Sequence, residues 1–362
     1  MTIADPGRLR AALIEIPVEP RRHSPSLIRM SDLLVGALSV LLATNSPAAL
    51  SNYVVGKVGV SPSVLVASPD PADPRYAELR KVMEADDAAD EEIGRWLSER
   101  RAMDATDPRT ESELAFRRRV EVRNDAVKEQ YLGLLGRHPD YAPALNAYAS
   151  FLAESGDEEE AIVQLEKASG ISPRDPAVWN NLANLYGHIG PIHRAFPAYE
   201  KAMELNPYEP IYRYNLATVV FLFRKDSMEY YRCDEQAVFN RALDLYREVR
   251  RLRPHNFRYA FDFAQTFYGV KAAPAETAEG RRASELQLAT VARGAWLDAL
   301  ALSDNEEDRA GIFLHLARWN IRTGEFESAL TNLTLVTNAV HLDMRKRLER
   351  NLAEKSAEAH NR

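Results

Sequence analysis

The stretch WNNLANLYGHIG, Trp179 to Gly190, decides the fold. Trp179, Leu182, Ala183 and Tyr186 stand at i, i+3, i+4 and i+7, so a helix lines them up on one stripe that seeks burial. Gly190 followed by Pro191 ends that helix, because glycine accepts the turn and proline cannot continue the ladder. Beside the stripe crowd Asn180, Asn181 and Asn184. They either line a face that reads a ligand or solvate and bridge neighbouring helices, and both readings stay open at this level.

Working outward, Pro139, Pro173 and Pro207 lie 34 residues apart, twice. Aligned on these prolines, Gly156 falls over Gly190, Ala161 over Ala195, Leu165 over Tyr199 and Ala168 over Ala202. Alanine at 183, opposed by Ala195 and Ala202 on the next helix, lets two backbones approach while the larger residues fill the flanks. A single helix pair of this kind leaves apolar surface uncovered, so pairs must stack.

The pattern W-x2-L-[GA]-x2-Y, then A-x3-aromatic, then Pro, at a period of 34, resembles the tetratricopeptide repeat family. The resemblance implies an all-α fold, an α-solenoid of stacked antiparallel helix pairs wound as a right-handed superhelix. It is strongest between Ala142 and Glu209. Weaker copies follow at Leu216, Ala217 and Val220 with Ala242, Tyr246 and Val249; at Phe263, Ala264 and Phe267 with Ala292, Trp296 and Ala299; and from Ala310 through Leu316, Ala317, Gly324, Ala329 and Leu333. Spacing places insertions near 225–237 and 271–285. Residues 111–342 are thus read as about five helix pairs, the helix before Pro139 (Val127, Tyr131, Leu134) as a half repeat, and 343–362 as a charged capping helix.

Before these repeats the text differs. Residues 76–110 read as an acidic helical segment, and 53–75 as a linker punctuated by Pro62, Pro69, Pro71 and Pro74. Residues 1–52 read as a leader, a signal peptide or a disordered segment: Arg21, Arg22 and Arg29 precede the apolar run LLVGALSVLLA at 33–43, and small residues follow. That run is too short to cross a bilayer comfortably. Export to the periplasm, cell envelope or medium is the expectation if the leader is a signal; otherwise the protein is cytoplasmic, with membrane contact only through an uncleaved leader.

The 362 residues are 46% hydrophobic and 27% charged, the balance of a folded chain. A net charge of -7 gives no reason to expect nucleic acid. A single cysteine, Cys233, excludes an internal disulfide and any multi-cysteine zinc site. No phosphate-cradling glycine loop, HExxH or nucleophile elbow occurs. His188 and His193 lack a nearby carboxylate in sequence, and Glu158, Glu159 and Glu160 suit a helix N-terminus better than acid-base work. The expectation is therefore a non-enzyme without cofactor or metal. Trp179 and Trp296 occupy packing slots, whereas Trp319 can face outward and Trp96 is unassigned.

About 100 degrees round the helix from the packing stripe run Asn180, Asn184 and His188. The resemblance implies that this stripe of each first helix lines a concave groove where extended peptides or partner helices lie. Asparagine suits it, since its amide both donates and accepts. One repeat earlier the stripe is Asn146, Ser150 and Glu154; later it is Tyr214, Thr218 and Leu222, then Phe261 and Gln265, then Leu314, Arg318 and Arg322. Chaperone-binding members clamp a terminal carboxylate with lysines and an arginine, and those lysines are missing from the matching slots here. The expected function is a protein-interaction scaffold for a protein or peptide partner. Two rivals remain: a self-assembling envelope protein, and an enzyme subunit whose site pairs Asp226 or Glu229 with the Arg281 region across the two insertions.

Overall fold

A computed structural model describes Asp70, residues 72–102 and residues 111–360. The leader reading (1–52, with its apolar run 33–43) and nearly all of the 53–75 linker lie outside the described residues. Among the described residues the regular structure is helical, without a strand. The helices are α1 (Pro74–Ala102), α2 (Glu113–Arg137), α3 (Ala142–Ser155), α4 (Glu158–Ile171), α5 (Pro176–Ile189), α6 (Ala195–Leu205) and α7 (Pro210–Leu222). They continue as α8 (Arg224–Tyr231), α9 (Glu235–Leu252), α10 (Phe257–Thr266), α11 (Ala278–Leu302), α12 (Glu306–Thr323), α13 (Phe326–Thr334) and α14 (Leu342–His360). The chain divides into two compact units between Asn215 and Leu216.

In the first unit α3 packs on α4, α4 on α5 and α5 on α6, so each pair covers the next. Small residues set the approach: Ala149, Ala161, Ala168, Ala183, Ala195 and Ala202 are all fully buried. Leu145, Leu165, Leu182, Phe196 and Tyr199 fill the space that the alanines leave. Truncating a residue such as Leu165 to alanine would cost about 2–5 kcal/mol through lost contact and a cavity. Sequence punctuation holds the ends. Gly156 closes α3 with φ of 91°, a left-handed conformation that costs glycine nothing. At the start of α5 the Asp175 carboxylate accepts from the Ala177 amide at 2.9 Å. Trp179 is less central than its stripe position suggests: it is half-buried and its indole N–H donates to the Pro173 carbonyl at 2.9 Å, lying back over the preceding turn.

Helix α1 packs along α2 and touches α3. Leu79, Val82 and Ala89 are its buried residues, and buried Asp86 accepts a 2.8 Å hydrogen bond from Tyr131 of α2. Further along, Arg123 pairs with Glu92 at 2.8 Å. Trp96 is held under the Arg119 guanidinium, 4.3 Å from ring centre to cation.

In the second unit α9 packs on α10, α10 on α11, α11 on α12 and α12 on α13. Helix α14 closes that series by dropping Leu348 and Leu352 into a cluster with Leu314, Ala317, Ile321, Ala329 and Leu333. The first insertion contains α8, anchored where the buried Ser227 hydroxyl donates to the Val220 carbonyl at 3.2 Å. The second is an irregular stretch that runs into α11, capped by Thr277, whose hydroxyl accepts from the Gly280 amide. Arg281 donates to the carbonyls of Ala275 and Glu276, so its guanidinium braces its own loop.

Gly269, just past α10, is needed for space. A methyl group there would meet ring carbons of Phe221 and Phe239 at 2.7 and 2.8 Å. Gly269→Ala should lower stability by about 1–3 kcal/mol in a urea titration, because two packed rings must move. A variant as stable as the parent would show that this contact yields freely.

Candidate functional site

The asparagines of the opening stretch form a ladder from repeat to repeat. Asn181 of α5 donates to the Asn146 side chain of α3 at 2.8 Å, and Asn180 donates to Asn181 at 3.4 Å. Asn215 of α7 donates to Asn180 at 3.0 Å and to Asn184 at 3.3 Å. Tyr199 of α6 completes it, its hydroxyl donating to Asn184 at 2.7 Å. Asn146, Asn180 and Asn181 are wholly buried, and Asn184 and Asn215 nearly so. An amide placed between helices can donate one way and accept the other, which no aliphatic residue of the same size can do.

Asn146, Asn180 and Asn184, expected along the groove, all take part in these bonds between helices. Asn180 in particular has its oxygen taken by Asn215 and its nitrogen by Asn181, with no surface left for a partner. Bridging between helices, the alternative left open by the sequence, describes these residues. Asn181 and Asn215, absent from the expected set, are the missing rungs. Their signal was legible: Asn181 and Asn215 are 34 residues apart, one repeat period.

The other stripe positions divide. Ser150 is buried, and its hydroxyl has no hydrogen-bond partner among the described residues. His188, at the end of α5, meets Glu158 of α4 at 2.7 Å, which ties it to the preceding repeat. The carboxylate thought to be lacking near this histidine comes from the start of another helix. Tyr214 is nearly buried. In the second unit Thr218 is buried and shares a 2.8 Å hydrogen bond with Tyr246 of α9. Gln265 is buried, its amide nitrogen without an acceptor among the described residues.

Phe261 and Arg318 belong to a second constellation, an aromatic cluster in the second unit. Phe261 meets Trp296 of α11 edge-on at 5.2 Å, and the His315 imidazole of α12 lies flat on Trp296 at 4.0 Å and 6°. Tyr268 shares a 2.9 Å hydrogen bond with His315 Nδ1 and stacks on Trp319 at 5.2 Å. Trp319 is therefore core, only 1% exposed, and not the outward-facing ring its sequence context allowed. Burial first, then the neighbouring Arg318 charge, hold the His315 pKa well below the usual imidazole value. Arg318 lies 5.8 Å from the Tyr268 ring centre and Arg322 lies 5.1 Å from that of Trp319.

Among the described residues no group of three or more histidine, cysteine or carboxylate side chains is placed to hold a metal ion.

Residues 142–175 and 176–209 each match the sequence model of the tetratricopeptide repeat. The segment 142–209 is thus a pair of tetratricopeptide repeats. Its two matched repeats are α3 with α4 and α5 with α6, the helices joined by the asparagine ladder. No curated protein matches the sequence. Similar solved structures include YrrB, a TPR protein described as having an unusual peptide-binding site, at 16% identity and a TM-score of 0.44, covering 63% of this chain and 98% of that one. MamA from Desulfovibrio magneticus RS-1 has 18% identity and a TM-score of 0.39 over 58% of this chain and 95% of its own. A tetratricopeptide repeat protein from Parabacteroides merdae has 11% identity and a TM-score of 0.40 over 90% and 98%.

Two outcomes follow from these geometries. Asn180→Ala should cost about 1–3 kcal/mol, since it strands buried amides of Asn181 and Asn215. Combined with Asn215→Ala in urea titrations, the loss should be smaller than the sum of the two single losses, as for directly bonded partners; strict additivity would disprove the ladder. His315 carries a pH signature. Because its folded pKa is depressed, its contribution is complete above the unfolded value of about 6.5, and stability falls as acid protonates the unfolded chain first. Melting curves of the parent minus those of His315→Phe should isolate that loss between neutral and acidic pH, and parallel curves would refute a buried neutral imidazole.

Proposed function

We propose that the protein is a non-catalytic interaction scaffold that binds a peptide or partner protein along the exposed parts of its first-helix stripes. The observation that supports this most is the pair of contiguous tetratricopeptide repeats at 142–209, a fold whose apolar faces are committed to stacking. Proteins with such repeats act through protein contacts, which supports a general protein-interaction role. The asparagines stiffen the scaffold instead of reading the partner. Contact then falls to residues at the margins of the stripes: His188 in the first unit, and Phe261, Arg318 and Arg322 in the second. Export through the leader belongs to the same proposal, and mass spectrometry of the mature N-terminus from the host checks it.

Position-resolved cross-linking tests the scaffold reading. A photoreactive residue at position 188 or 322 of the full chain, in host cells, should capture a discrete partner, while one at Val163, exposed on the second helix α4, should not. Equal capture from Val163 would defeat the reading.

Self-assembly remains a second reading because of one observation. Val340 is 70% exposed, and Leu330, Leu335 and Leu342 are also exposed around the α13 to α14 connection. If copies associate there, sedimentation velocity should show an oligomer that Val340→Asp dissociates. A monomeric parent would exclude it.

A further inference from the structure

Arg318 and Arg322 sit four residues apart on α12, about 6 Å along the helix axis. Neither forms an ion pair among the described residues, although many other arginines of the chain do. Arg318 hydrogen-bonds Tyr268, and both arginines rest against rings. A guanidinium lying over a ring is oriented by the π face while its N–H groups, which lie in its plane, stay directed outward. Arg318 is placed so over Tyr268 and Arg322 over Trp319, and those two rings stack on each other. The rings in turn are fixed from below by the Tyr268 to His315 hydrogen bond and by the His315 to Trp296 stack. Across from them Met344 of α14 offers Arg318 only a weak sulfur acceptor at 3.6 Å. Glu325 and Glu349 are engaged by other arginines, Arg293 and Arg345.

We infer that Arg318 and Arg322 form a two-cation recognition site for an extended acidic segment of a partner, one that carries carboxylates at alternate positions. Alternate side chains of an extended strand are about 7 Å apart on one face, close to the rise of about 6 Å that separates residues four apart on a helix. Each Arg–carboxylate contact is charge-assisted and can be two-pronged, which favours carboxylate over a neutral amide. The inference rests on the scaffold reading and names the chemistry of its partner. It differs from a clamp for a chain terminus, since two side-chain carboxylates satisfy it.

The probe is a fluorescein-labelled ten-residue peptide of alternating glutamate and alanine with an amidated C-terminus, titrated into the full chain and read by anisotropy. The glutamate peptide should bind at about 50 mM salt and weaken as salt screens the pair, and its glutamine counterpart should bind roughly tenfold more weakly or worse. Arg318→Gln with Arg322→Gln should lose a similar factor, the exposed Arg322→Gln alone should lose part of it, and Arg251→Gln on α9 should lose nothing. Equal binding of the glutamine peptide, unchanged binding by the Arg322→Gln variant, or equally tight binding of a single-stranded oligonucleotide of the same charge would overturn the inference. A partner captured from position 188 together with no binding of the glutamate peptide would overturn this inference alone and leave the scaffold intact.

Discussion

No helix pair of this chain can bury its own apolar face, and the rest of the molecule follows from that. A stripe such as Leu182, Ala183 and Tyr186 is covered only when the next helix arrives, and that helix needs cover in turn. The series must therefore end on something polar outside and apolar inside. Helix α14 has that character: Leu348 and Leu352 face the cluster, and many of its other positions are charged. Alanines at the crossing points let the helices come close, so that rings and leucines beside them pack at interior density.

Apolar stacking by itself is tolerant of small slides, and the polar groups inserted between helices remove that tolerance. In the first unit they are asparagines, with Asn181 donating to Asn146 and Asn215 to Asn180 across successive repeats. In the second they give way to rings, with His315 kept neutral between Trp296 and Tyr268. The asparagine cluster is saturated by its own members, whereas the other presents two cations at its surface.

Much of the fold was legible in the sequence because it is written in period. The interval of 34 between prolines, the alanines at crossing points and the glycine ends Gly156 and Gly324 each answer to a local physical demand. The insertions could be located by spacing but not described, since α8 and the loop braced by Arg281 depend on partners distant in sequence. The site was less legible for the same reason. Spacing puts Asn180 beside the packing face but cannot say whether its neighbour is a ligand or the asparagine of the next repeat. That the answer is Asn215 depends on how closely α5 and α7 approach, which the alanines permit and the spacing alone does not reveal. His315 and Tyr268 carried no signal, because a lone histidine and a tyrosine past the end of a helix have no period.

The asparagine ladder has a mechanical consequence. Hydrogen bonds between amides are directional, so a slip of one helix against its neighbour would break several of them together and strand their buried groups. Neighbouring repeats are thereby denied the freedom to fray one at a time, and α3, α5 and the start of α7 should open as one cooperative block. A stretch that first read as a helix with too many asparagines is in effect a ratchet pawl, fixing the pitch at which successive repeats are set.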